Sequence, residues 1–154
     1  MKQTTLCLLL KEDQILLAMK KRGFGMGKWN GTGGKVEIGE TIEQAAVRET
    51  EEEISVKIDP RDLDHKADWD FYFPHKPEWD LTVRLFLCYK WQGEPIETEE
   101  MRPQWFKFSE IPYDQMWDDD KHWLPKVLTG KKFKGQFYFG PDNATVEKFE
   151  IIEI

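Results

Sequence analysis

The chain has 154 residues, a formal net charge of −7, 40% hydrophobic residues and 14% aromatics. That length suits one domain over residues 1–154, and that aromatic content excludes a disordered segment. The negative charge argues against a binder of polymeric nucleic acid or of anionic membranes, because such proteins need a net positive field to gather phosphates.

In chain order, strand-like runs rich in β-branched and aromatic residues lie at Thr4–Leu10 and Ile15–Lys20, with "KEDQ" at 11–14 joining them as a hairpin. A helix is predicted from Thr41 to Glu53, where Thr41 and Gln44 form a capping box. Residues 59–78, including "DFYFPHKPEW", predict a strand followed by a mobile loop. Further strands are expected at Leu81–Trp91, Trp105–Phe108, Phe133–Phe139 and Thr145–Ile151, the last two joined by "PDNA", with a second helix near Lys121–Leu128. Together these predict an α/β or α+β domain, a mixed or antiparallel sheet with few helices packed on it.

The apolar run Leu6–Leu10 is too short for a secretory core, and no stretch is long enough to span a membrane. Cys7 and Cys88 have no partners at ligand spacing, so neither a disulfide framework nor a zinc site is expected. A reduced, cytoplasmic residence follows as the expectation. A monomer is expected too, since no exposed apolar helix or heptad pattern appears.

The stretch "GGKVEIGETIEQAAVRETEEEISV", residues 33–56, carries the chemistry. At about 100° per residue, Ile42, Ala45, Ala46, Glu49 and Glu53 share one stripe and Glu52 borders it. Carboxylates about 6 Å apart repel by roughly 3 kcal/mol at an effective dielectric of 20. A solvated acidic face would relieve that repulsion as well as a cation would. The core-facing start of the stripe and the upstream "GTGGK", whose backbone can approach a ligand closely, favour a divalent cation with a phosphorylated substrate. An all-oxygen donor set with room for phosphate suits magnesium, with manganese as the alternative.

Two other stretches are informative. "KKRGFGMGKWN" at 20–30 places cations among alternating glycines, yet no helix follows it and the P-loop spacing fails, so alone it reads as a loop. "MWDDDKHW" at 116–123 reads by itself as an acidic helix start favoured by the helix dipole.

The series Gly34, Glu40, Arg48, Glu49, Glu52 and Glu53 resembles the Nudix box. Thr50 stands where that family has an aliphatic residue, and Ser55 replaces its helix-ending glycine. The likeness extends through "LLAMKKRGFGMGKWNGTGGKV", "EMRPQWF", "IPYDQMWDDD" and "KKFKGQFYF", and runs to family members acting on oxidised purine nucleotides. Residues 56–79 match poorly.

The resemblance implies an α/β/α Nudix sandwich and a small-molecule nucleotide substrate. It implies that Glu49, Glu52 and Glu53 hold magnesium with the Gly33 carbonyl and Glu100, and that Arg48 pairs with Glu40. Hydrolysis of an oxidised purine nucleoside triphosphate to monophosphate and pyrophosphate is the implied reaction, with Glu53 nearest the attacking water. Lys20, Phe24 and Asn30 would line the nucleotide pocket, and Trp117, Asp119 and Asp120 would recognise the base. Thr5, Tyr72, Leu81, Met101, Trp123 and Phe139 would form its walls. The alternatives are a methylated or ordinary nucleotide as substrate, or a nucleotide-sensing module without turnover.

Overall fold

A computed structural model describes residues 1–154. Strand β1 (Lys2–Lys11) pairs in parallel with β5 (Leu81–Cys88), which pairs antiparallel with β4 (Leu63–Tyr72). Beyond β4 lie β7 (Phe133–Phe139), parallel to it, and β8 (Val146–Glu153), antiparallel to β7. On the other side, β2 (Gln14–Lys20) carries both β3 (Trp29–Asn30) and β6 (Met101–Lys107). The sheet is mixed and open, as the sequence predicts, and both hairpins are present.

The β1–β2 hairpin decides where a cavity can form. Its strands pair only at the closed end, Leu10 with Ile15 and Lys11 with Gln14. Beyond that they diverge, and residues 32–36 run alongside β1 in the gap. The Cys7 amide donates to the Thr32 carbonyl at 2.6 Å, the Thr5 amide to the Gly34 carbonyl at 2.9 Å, and the Val36 amide to the Gln3 carbonyl at 2.9 Å. The glycine-rich "GTGGK" segment is therefore largely an extended filler strand. Gly33 is obligatory there, because an added Cβ would stand 1.9 Å from the Thr5 carbonyl oxygen.

Helix α1 (Ile42–Ile54) starts at the expected capping box, with the Thr41 hydroxyl accepting from the Gln44 amide and the Gln44 side chain accepting from the Thr41 amide. It ends at Ser55, held in the left-handed region at φ 62, so the chain keeps the usual closing conformation without its glycine. Thr50 is fully buried, and its hydroxyl sits 2.9 Å from the Ala46 carbonyl and 2.7 Å from the Thr32 hydroxyl. The polar residue in the family's aliphatic position thus ties α1 to the filler strand.

α1 packs on one face of the sheet over Cys7, Leu9, Phe86 and Cys88. Helix α2 (Asp120–Val127) packs on the other, through Trp123, Leu124 and Val127, over Leu8, Trp69, Leu85 and Phe137. Both cysteines are free and buried. No helix is long and apolar enough to cross a membrane.

Candidate active site

The carboxylates lie along α1 at graded depth. The Glu53 side chain is 3% exposed as a residue, while the Glu49 and Glu52 side chains are 18% and 59% exposed. Glu53 Oε1 accepts from the Gly33 amide at 3.2 Å, and its Oε2 is buried without a partner. Burial first, and then the nearby Glu49 charge, push the Glu53 carboxyl up to about 8, against the opposing pull of the Gly33 amide and Lys20.

Arg48 organises the outer part. It donates to both oxygens of Glu40, at 2.7 and 3.0 Å, and also to Glu49 at 2.8 Å and the Lys35 carbonyl at 3.0 Å. This bidentate pair ties the loop before the helix to the helix itself. The guanidinium and the Glu37 amide hold the Glu40 carboxyl down to about 2. Gly34 lies so close that an added Cβ would stand 2.6 Å from the Glu49 carboxylate.

No group of three or more carboxylate, histidine or cysteine side chains converges as a metal cluster. Glu52 leans to Arg48 at 3.4 Å, and Glu100, half exposed, faces Arg22 at 3.6 Å. The residues nonetheless fit a hard cation on two grounds. Glu53 has a buried oxygen lacking any partner, and its repulsion with Glu49 is what a positive charge would relieve. The loop bearing Glu100 also abuts the helix end, where the Thr98 hydroxyl donates to the Glu53 carbonyl at 2.8 Å.

Between the start of α2 and the filler strand, over Trp69, Phe71 and Leu81 of the sheet, opens a cavity of about 250 Å³. Thr5, Lys20, Phe24, Asn30, Leu81, Met101, Trp117, Asp119, Asp120, Trp123 and Phe139, which the resemblance put at the nucleotide pocket, all line it, and so does Gly33, expected only as a metal-holding carbonyl. Tyr72 does not: it stacks on Tyr138 at 5.0 Å on the outer face of the sheet. Side chains alternate across a strand, so the inward positions are Trp69, Phe71 and Phe73. The aromatic alternation in "DWDFYF" carries that signal, and choosing Tyr72 puts the phase off by one.

Asp119 and Asp120 are 5% and 3% exposed. Asp119 accepts from the Trp123 indole at 2.7 Å, whereas Asp120 Oδ2 has no partner. Burial pushes Asp119 up to about 6, and burial together with the Asp119 charge raises Asp120 well above the usual carboxylate range. Their neighbour Asp118 turns outward and accepts from the Val146 amide at 2.8 Å, pinning the start of α2 to β8. The acidic triplet is thus divided between two buried carboxyls at the cavity and one structural tie.

The NUDIX domain family profile matches residues 1–127. The chain belongs to the Nudix hydrolase family. Among relatives of this Nudix chain, the oxidized purine nucleoside triphosphate hydrolase of Danio rerio is 47% identical over 146 residues, covering 95% of this chain and 92% of that protein. The Mus musculus protein of the same name is 45% identical over 150 residues, covering 97% and 94%. A MutT protein from Bacillus halodurans superposes with a TM-score of 0.82 over 98% of this chain and 97% of that one at 23% identity, which speaks for the Nudix fold alone.

Proposed function

We propose that this Nudix hydrolase cleaves oxidised purine nucleoside triphosphates, such as 8-oxo-dGTP and 2-hydroxy-dATP, to monophosphate and pyrophosphate, removing damaged precursors from the nucleotide pool. The observation that carries the reading is the buried pair Asp119 and Asp120 at the wall of a cavity that also reaches Gly33 and Gly34 beside the α1 carboxylates. A purine against Trp117 and Asp119/Asp120 would point its phosphates toward Lys20 and α1. The names of the vertebrate relatives support the same substrate class.

Two adjacent carboxyls with raised proton affinity share a proton between them, so one donates while the other accepts. Such a pair matches either tautomeric edge of an oxidised purine. Asn30 adds a donor and an acceptor, and the Trp117 face and the Phe24 ring exclude water from the base.

At the other end, Glu49, Glu52, Glu53, the Gly33 carbonyl and Glu100 would hold the magnesium ion. When bound, it neutralises phosphate charge and polarises water for in-line attack at phosphorus. Glu53 receives the proton of the attacking water at a carboxylate oxygen, and the Gly33 amide keeps that carboxylate aimed. Arg48 holds Glu49 and the loop around Glu40 in register. Lys20 lines the cavity and lies close enough to Glu53 to favour its charged form. We read the enzyme as a cytoplasmic monomer.

Pyrophosphate release with magnesium, measured for 8-oxo-dGTP, 2-hydroxy-dATP, methylated purine triphosphates and the ordinary dNTPs, tests the reading. The oxidised purines should give the highest kcat/KM. Equal rates on ordinary dNTPs would overturn the specificity, and binding without any turnover would reduce the domain to a sensing module. Asp119→Asn should lower discrimination among bases far more than magnesium affinity; equal loss of both would refute the pocket assignment.

A further inference from the structure

The segment between β4 and β5 carries an aromatic residue that lines no part of the cavity yet touches two residues that do. Phe24 stacks on Trp117 at 5.2 Å and 29°, and Trp117 meets Phe139 edge-on at 6.5 Å and 77°. Phe139 lies flat on Phe73 at 4.6 Å and 5°. Trp79 then presents its ring edge-to-face with Phe73 at 5.6 Å and 83°, and with Phe24 at 5.1 Å and 76°. The contacts close into a circuit in which Trp79 alone stands outside the cavity wall.

The two neighbours that Trp79 joins differ in how firmly they are held. Phe73, the residue just after β4, is buried, and its amide donates to the Asp80 carboxylate at 2.7 Å. Phe24 is 57% exposed, in a loop between Gly23 and Gly25, both at positive φ. Without Trp79, Phe24 would keep Trp117 as its one aromatic neighbour. Trp79 itself is well anchored: its amide donates to the Lys76 carbonyl at 2.9 Å, and the Lys76 ammonium lies 4.0 Å from its ring centroid.

We propose that Trp79 is a positioning residue, which holds the Phe24 ring against Trp117 and so preorganises the aromatic wall that receives the base, without touching the substrate. The inference rests on the reading of this cavity as the base pocket. A wall already in place costs less to order on binding, so the effect belongs to KM. Trp79 has no contact with the α1 carboxylates, so kcat is left alone.

The test measures kcat and KM for oxidised purine triphosphates in Trp79→Ala and Trp79→Phe, together with the ring-proton resonances of Phe24 in the ligand-free protein. Trp79→Ala should raise KM about tenfold, equal to ~1.4 kcal/mol, with kcat within about twofold of the parent. Trp79→Phe should restore most of the KM. The Phe24 resonances should move toward unstacked values in Trp79→Ala and return in Trp79→Phe. A parent-like KM in folded Trp79→Ala, a loss confined to kcat, or unmoved Phe24 resonances would each overturn the proposal. Should Trp79→Ala not fold, Trp79→Leu, which keeps bulk without a ring, takes its place with the same expectations. If the parent protein neither binds nor hydrolyses any of the nucleotides, the base-pocket reading falls and the Phe24 resonances alone decide whether Trp79 positions that ring.

Discussion

Glu53 and Asp119 show what burial does to a carboxyl when a counter-charge is missing. Glu53→Gln, assayed at saturating magnesium, should lower kcat by about 10²–10⁴-fold, the range that a positioned proton acceptor supplies. Near-parental turnover would remove Glu53 from the role of base. Both groups also make stability depend on pH. The folded-state carboxyls are raised, Asp119 from 3.8 to about 6 and Glu53 from 4.5 to about 8. Their contribution is therefore complete below the unfolded values and is lost as pH rises through the folded ones. Glu40, held down to about 2, acts oppositely, with stability present above 4.5 and lost as pH falls toward 2. The metal-free protein should accordingly show a melting temperature that falls between pH 5 and pH 8. Asp119→Asn should flatten part of that slope, as followed by calorimetry in the presence of a chelator.

At the scale of the element, helix α1 departs from its family at two positions, and the structure gives each a physical reading. Thr50 uses its hydroxyl to join the filler strand through Thr32. Thr50→Val should cost about 1 kcal/mol, since it removes the 2.7 Å partner of the Thr32 hydroxyl and leaves it only the Cys7 carbonyl at 3.4 Å, and adding Thr32→Val should recover most of it. Chemical denaturation of the two single variants and the double variant closes that cycle; additive losses would show that the hydroxyl pair is uncoupled. Ser55 occupies a left-handed position that glycine fills without strain. Ser55→Gly should stabilise the fold by about 1 kcal/mol, read as a shift of the denaturation midpoint at unchanged slope. The capping box and acidic stripe made this helix legible in sequence, because both depend on spacing within one element. The filler strand was not legible, because glycine-rich residues 31–34 carry no β-signal, and only the diverging hairpin gives them a partner.

For the molecule as a whole, the resemblance to the family, and not the local motif, led to Trp117, Asp119 and Asp120, which line the cavity; "MWDDDKHW" by itself reads only as an acidic helix start. The sequence was less secure for β4, where a one-residue phase error exchanges Tyr72 for Phe71 and Phe73. It missed Trp79's contacts altogether, since a ring circuit closed by distant segments leaves no periodic trace.

The two helices cover opposite faces of one sheet, and each rests on a separate apolar cluster. The acidic helix α1 belongs to the cluster around Phe86 and Ile54, while α2 and most aromatic wall residues belong to the one around Trp69 and Phe137. In evolutionary terms this is a partition of risk. A lineage can repack the aromatic side and drift toward another nucleotide while the packing beneath the α1 carboxylates stays untouched. New substrate preference should therefore arise through changes on one side of the sheet, with the machinery on the other inherited intact.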